Sequence, residues 1–526
     1  MKNTVKFSLA VFFATAISAC ALQEAPDSTG FGTIAVTAEA VQEKVLANVP
    51  ETKTTLSGVE TLWVEGRDKI GIFSPHAKAT SDGTPEANPA KNLAFTAQAS
   101  AKRSSFSGSL YWGSESMHNF YAYYPYDSEY SADETAVPIF LPSAQSQSAA
   151  GNSDHIGALD YMVATPDTVT AGGAVNLSFN HVFSMIEFQI IGNGTLSDVR
   201  LNGVDPLACE GTIDLTQNPG ADPYSITTSS TSNNVSVTLG SGVSLSSEKA
   251  VSLYIMILPG AQSEDMNIAL KIDGKWKALS KTPPTDGFSR GKKYRVSLDA
   301  ESEEWNDAIE DPRDQRLYKL ITIGSQVWMT ENMAYLPLVE SPSIKSDETS
   351  CYYVSGYEGT DVSAAKATTN YQTYGVLYNW PAAQTACPER WHLPSDEEWT
   401  QLETYLANNG FNYDGTTGPE FGDGVRDKIA KSMATDSGWD SSLVEGAAGN
   451  TDYPEYKNKS GFSALPGGFF GHDGFFYGIG DSGFWWSATA DGTDSARFRW
   501  IDIDEKGVLR DLATRRIGFA VRCIKD

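Results

Sequence analysis

Through the first three hundred positions, apolar and polar residues alternate in short runs. Ile186, Phe188 and Ile190 are separated by Glu187 and Gln189, the period of a strand with one buried face. VSLYIMILPG (251–260) and YRVSLDA (294–300) are further predicted strands, each flanked by turn residues. The aromatic run NFYAYYPY (119–126) favours a strand that ends at Pro125. Ser, Thr, Gly and Asn fill the intervals, and nothing before 300 repeats apolar residues at helical spacing. The pattern predicts one or two β-sandwiches.

The character changes after DAESEEWNDAIEDPRD (299–314), an acidic stretch that reads as a linker over 301–314. Beyond it tryptophan becomes frequent and a helix signal appears. Ser395-Asp396-Glu397-Glu398 is a capping box: the serine oxygen meets the N–H of Glu398, and the glutamate returns to the N–H of Ser395. Asp396 and Glu397 suit the positive end of the helix, Trp399, Leu402 and Leu406 share one face, and Gly410 is the predicted stop. The surrounding CPERWHLPSDEEWTQLETYL (387–406) also has the residue types of a catalytic cluster, but helix-starting chemistry accounts for the carboxylates. His392 has no second histidine nearby and reads as a packed or hydrogen-bonded loop residue.

Lys2 and Lys6 precede an apolar run at 7–17, then Ser18, Ala19 and Cys20, the pattern of a secretory signal peptide too short to span a membrane. With 526 residues the chain has room for two to four domains. Lys plus Arg number 39 against 66 Asp plus Glu, a net charge of −27 that argues against nucleic acid as partner. Apart from Cys20 the cysteines are Cys209, Cys351, Cys387 and Cys523, and spacing leaves three connectivities open.

Other motifs dissolve on inspection. GIGDSG (478–483) copies a dinucleotide loop but runs into Phe484-Trp485-Trp486, a strand-like sequence where a helix is required. DIDEKG (502–507) begins like a calcium loop, yet Lys506 and Ala513 occupy ligand positions, so a hairpin turn is the better reading. Trp305-Asn306-Asp307 has the letters of a lectin calcium triplet but precedes the domain that would use it. The histidines show no metal spacing and there is no G-x-S-x-G. We expect no metal, no cofactor and no catalytic residues. Trp485 and Trp486 read as core, while Phe475, Phe476 and Tyr477, set between turn glycines, are the candidate ligand surface for sugars or protein.

Three resemblances extend this reading. ISAC (17–20) resembles the lipobox of bacterial lipoproteins, which implies a signal peptide over 1–19, lipid on Cys20, a tether over 20–30 and an outer-membrane anchor. LWVEGRDKIGIFSP (62–75), FYAYYPY (120–126), IFLPSAQSQ (139–147), YMVATP (161–166), LSFNHVFSMIEFQI (177–190) and GFSRGKKYRVSL (287–298) resemble, in that order, the fimbrillin superfamily. That resemblance implies two transthyretin-like β-sandwiches, here over 31–170 and 171–300. It also implies a type V pilus built with other pilin subunits by β-strand exchange. In that family a protease usually cuts after an arginine beyond the first strand. None lies between Cys20 and Arg67, so Lys44 and Lys53 are the candidate cleavage positions, and Arg67 falls within a segment expected to form a strand.

YKLITIGSQVWMTENMAY (318–335), YGVLYNWPAA (374–383), GFSALPGGFF (461–470), GFWWSAT (483–489) and RRIGFAVRCIKD (515–526), with 387–406 among them, resemble the Fibrobacter major paralogous domain. This implies an α+β C-type-lectin-like domain over 315–526, with the long-range disulfide of that fold between Cys387 and Cys523. Related formylglycine-generating enzymes use two active-site cysteines near the domain's end, where this chain has Cys523 alone. The expectation is therefore a mainly β surface subunit of a fimbrium, a tip or accessory adhesin displaying a lectin-like domain. The alternatives are a solitary outer-membrane lipoprotein that binds glycan and an extracellular enzyme of the same fold.

Overall fold

Strands dominate the computed structural model, which describes residues 33–40, 54–58, 62–82, 84–130, 134–164, 168–217, 226–302, 304–418, 425–426 and 428–526. Val36 and Ala38 are buried and Glu39 is exposed, so Val36–Ala40 is a one-sided strand. It runs parallel to Val175–His181 and antiparallel to Arg103–Ser107. Those two pairings close a ring of seven strands that continues through Met162–Ala164, Tyr121–Tyr124, Lys69–Lys78 and Pro89–Ala97. Trp63 fills the ring, meeting Phe106, Tyr124 and Phe179 edge-on at centroid distances of 5.2, 5.4 and 5.4 Å. Edge-on contact sets the positive rim of one ring against the negative face of another.

A second unit packs two sheets over one core. Ser184–Ile191 lies antiparallel to Val251–Ile257 and parallel to Lys292–Asp299, which Thr54–Gly58 flanks on its other side. Ile186, Phe188 and Ile190 are buried together with Val199, Leu201 and Leu270 of the facing sheet. Glu187, expected to face water, is buried too. Lys293 Nζ lies 2.8 Å and Arg295 Nη2 3.1 Å from its Oε2. Burial pushes this carboxyl up, and the hydrogen bonds from Lys293 and Arg295 outweigh burial and hold it down at about 2.

The expected division at 170/171 is not kept. Val175–His181 closes the first ring, whereas Val137–Leu141 and Ala144–Gln147 leave it to pair with Ala208–Ile213 and Asn234–Ser244. Val137, Ile139 and Leu141 explain the exchange, since their alternating apolar face is buried in the second core.

The acidic stretch 301–314 is also not a simple linker. Asn306–Glu310 is a strand between Lys275–Lys281 and Leu317–Ile323, so one ten-stranded sheet runs from the second unit into the C-terminal domain. Its charges are used locally: Glu310 takes the guanidinium of Arg200, which lies 4.5 Å from the Trp276 ring, and accepts the Trp276 indole N–H at 3.3 Å. Ala308 is its one buried apolar residue, packed with Trp276.

In the C-terminal domain the capping box forms as predicted. Ser395 Oγ accepts the N–H of Glu398 at 3.2 Å, and Glu398 Oε2 accepts that of Ser395 at 2.8 Å. Trp399, Leu402 and Leu406 of helix Asp396–Asn408 are buried with Trp328, Phe462 and Trp485. A six-stranded sheet ends in Ser482–Asp491, Gly467–Phe470 and Phe476–Ile479. The Cys387–Cys523 disulfide is present, with Cα atoms 5.9 Å apart.

Candidate functional site

Three acids of 387–406, Asp396, Glu398 and Glu403, are tied into ion pairs within the domain. Asp396 accepts from Arg499 Nη1 at 2.7 Å and from Arg510 at 2.6 and 2.8 Å. Burial pushes its carboxyl up, but the two guanidiniums overcome this and keep it well below the usual range. Arg499 also donates to Glu403 at 2.5 Å, both side chains being fully buried. His392 lies between Asp526 at 2.7 Å and Glu398 at 2.9 Å; desolvation lowers its pKa, and the two carboxylates reverse that into a net rise. The partners Arg499 and Arg510 stand about a hundred positions from Asp396 in the chain, so local sequence gave no sign of them.

The second feature is the strand Val36–Ala40. Ile34, Val36 and Ala38 share the core of Phe106, Leu110, Leu177 and Phe179. Cys20, Lys44 and Lys53 lie outside the described residues, and Thr54–Gly58 begins directly after Lys53. Arg67 is not inside a strand as expected: it occupies a turn before Lys69–Lys78, with its side chain 70 % exposed. A cut there would still detach Trp63 and Thr54–Gly58 from the rest of the chain.

The third is an aromatic edge. Phe476–Ile479 pairs with Gly467–Phe470 and is the outermost strand of its sheet. Gly474 permits the turn between them with φ 93°, and the Asp473 carboxylate accepts both the Phe475 N–H at 3.3 Å and the Tyr477 hydroxyl. Period-two alternation carries Phe475, Tyr477 and Ile479 onto one face, where they are 64, 43 and 39 % exposed. Phe476 turns the other way, 5.2 Å from the Phe470 ring, which in turn stacks on Tyr353 at 3.9 Å. Of the three expected surface residues, Phe475 and Tyr477 are thus exposed and Phe476 is half-buried. Ile479 was missed, although its place two residues beyond Tyr477 is a usable signal. The edge offers apolar side chains on the outermost strand of a sheet, a surface suited to a strand or flat ring.

Trp485 and Trp486 are core: their indole N–H groups donate to Asn332 Oδ1 at 2.9 Å and to the Tyr378 carbonyl at 2.7 Å. Burial pushes the free thiols of Cys209 and Cys351 up, Cys209 to about 11, away from the reactive thiolate. Among the described residues no group of three or more His, Cys, Asp or Glu is placed to hold a metal ion. GIGDSG leads into strand Ser482–Asp491, and no helix of the described residues is long and apolar enough to cross a membrane.

Residues 52–309 match the family model described as fimbrillin-like, and residues 321–525 match that of the Fibrobacter succinogenes major domain. The chain joins a fimbrillin-like region to a Fibrobacter succinogenes major domain. The fimbrillin-like match over 52–309 supports a pilus-associated role at the cell surface. The strand Val36–Ala40 lies ahead of the fimbrillin-like match. No curated protein matches the chain. Among solved structures, a suspected cell adhesion protein of Bacteroides ovatus is 16 % identical, with 56 % of this chain and 99 % of that one covered and a TM-score of 0.34. One from Bacteroides uniformis is 18 % identical over 52 and 95 % of the two chains, TM-score 0.33. A fimbrial protein of Bacteroides ovatus is 12 % identical over 94 and 99 %, TM-score 0.25. Superpositions this loose say nothing of what this fimbrillin-like chain does.

Proposed function

We propose that this protein is a tip or accessory subunit of a pilus, that it joins its neighbour by strand exchange, and that its C-terminal domain is a binding head. The observation that carries this is the position of Val36–Ala40. It is the sole strand between Arg103–Ser107 and Val175–His181 in the ring, its inward residues are short, and the candidate cut positions Lys44 and Lys53 follow it. Removing it leaves a slot lined by Phe106, Leu177 and Phe179 with two open strand edges, which an incoming strand fills with main-chain hydrogen bonds and alternate side chains. A cut after Lys53 spares Thr54–Gly58 and its place beside Lys292–Asp299. The exposed face of Phe475, Tyr477 and Ile479 is the head's contact surface, for a host or bacterial glycan or protein. We read the head as a binder and not an enzyme, because Asp396, Glu398, Glu403 and His392 of 387–406 are committed to its internal ion pairs. Lipid on Cys20 anchors the precursor to the outer membrane.

The test is to shear filaments from cells and determine by mass spectrometry whether the protein travels with them and which N-terminus it carries. The expected result is filament-end protein beginning at Val45 or Thr54, and loss of assembly in a Lys44→Ala/Lys53→Ala variant. Protein that stays with the membrane and retains Cys20 overturns the tip assignment.

A further inference from the structure

The three-stranded sheet of Ile226–Ser232, Ala208–Ile213 and Val137–Leu141 turns Val137, Ile139 and Leu141 to the core. Register sets its outer face. Phe140 stands opposite Glu210, and Pro138 opposite Thr212, which stands opposite Thr227. Phe140 is 53 % exposed there. The segment from Tyr123 to Tyr130 forms the facing wall, and between them lies a cleft of about 610 Å³. That is within the range of small-molecule sites, about 300–1,000 Å³.

The tyrosine wall is held in place before any ligand arrives. Tyr123 donates its hydroxyl to Asn92 Oδ1 at 2.8 Å and accepts the Asp127 N–H at 3.1 Å, while Tyr130 donates to the Ala136 carbonyl at 2.5 Å. Both rings pack against Phe73, and a side chain at Gly71 would collide with that of Tyr123. The cleft is lined by a mixture of aromatic Tyr126 and Phe140, hydroxyl-bearing Thr212 and Thr227, and acidic Asp127 and Glu210. Among the described residues its lining contains no Lys or Arg, so an anionic ligand meets like charge here and across a chain of net charge −27. A wholly apolar ligand would strip water from hydroxyls and carboxylates without replacing its hydrogen bonds. A pyranose satisfies both halves of the lining: its C–H face lies on an aromatic ring, and its hydroxyls donate to the carboxylates and exchange bonds with the threonines.

We propose that this cleft binds a neutral oligosaccharide, at a site in the fimbrillin-like half that depends neither on strand exchange nor on the aromatic edge of the C-terminal domain. The experiment uses the full chain on an array of neutral, sialylated and sulfated oligosaccharides, followed by calorimetric titration of the neutral binders. Phe140→Ala and Tyr126→Ala are expected to weaken neutral binding by about tenfold or more. Leu443→Ala, at a fully exposed residue of the C-terminal domain, is expected to leave it unchanged. Glu210→Gln preserves shape while removing charge, so a loss there reports hydrogen bonding even if an alanine variant fails to fold; near-ultraviolet circular dichroism follows the fold of each. The proposal is overturned by an array with no neutral binder or by a preference for acidic sugars. Binding that is indifferent to the cleft variants also overturns it, as does tighter binding of lysine-rich or proline-rich peptides that those variants abolish.

Discussion

At the scale of single residues, Glu187 shows how pairing overturns a simple reading of polarity. Alternation places it on the water side of its strand, yet Lys293 and Arg295 on the neighbouring parallel strand bring opposite charge to a buried position. A carboxyl held at about 2 instead of 4.5 stabilises the fold above its unfolded value, and that contribution is lost as pH falls from about 4.5 toward 2. Glu187→Gln is expected to cost about 2 kcal/mol at neutral pH, the scale of hydrogen bonds to a charged group. It is also expected to flatten the acid side of the stability profile of the fimbrillin-like half. Urea midpoints measured at pH 7, 4 and 3 check both, and parallel profiles for the two proteins would show that Glu187 is not the titrating group. The capping box of Ser395 and Glu398 was fully legible, because both partners sit within one helical turn. The clamp of Arg499 and Arg510 on Asp396 was not, because nothing local links residues on a helix to those on a distant hairpin.

At the scale of elements, strands were readable where they bury an alternating apolar face and obscure where they do not. Ile186, Phe188 and Ile190 announce their strand; Asn306–Glu310, with Ala308 alone buried, does not, and its acidic neighbours look like a linker. The exchange of Val137–Leu141 into the second unit was hidden for another reason. Alternation tells which face is buried and not against which partner. The strand Asn306–Glu310 has a direct test. Its backbone amides are expected to resist hydrogen exchange, and Ala308→Pro, which removes an N–H from the middle of a sheet, is expected to open it together with Lys275–Lys281 and Leu317–Ile323. Protection of Ser184–Ile191 should persist, since that strand lies in another sheet. If 306–310 exchanges at the rate of unstructured chain in the unmodified protein, the continuous sheet is wrong.

At the scale of the whole molecule, a sheet that runs from Ala144–Gln147 to Trp391–His392 joins the head to the fimbrillin-like body through hydrogen-bonded strands. A pull on Trp391–His392 then passes through laddered strands into the core that packs around Ser184–Ile191. The disulfide secures the distal end of that path. Cys523 adjoins Ile524–Lys525, the strand between Gln326–Met329 and Trp391–His392, and Cys387 lies just ahead of Trp391. Closing a loop of 136 positions restricts the unfolded chain by about 5 kcal/mol in the chain-entropy description. Cys387→Ser/Cys523→Ser is therefore expected to destabilise the head by several kcal/mol, on the order of a domain's whole margin. The ring around Trp63 contains neither cysteine and should keep its melting temperature. Calorimetry of the two proteins separates these outcomes: a lower head transition beside an unmoved ring transition supports this division of labour. A uniform fall in both would mean that the ten-stranded sheet transmits the loss all the way into the fimbrillin-like half.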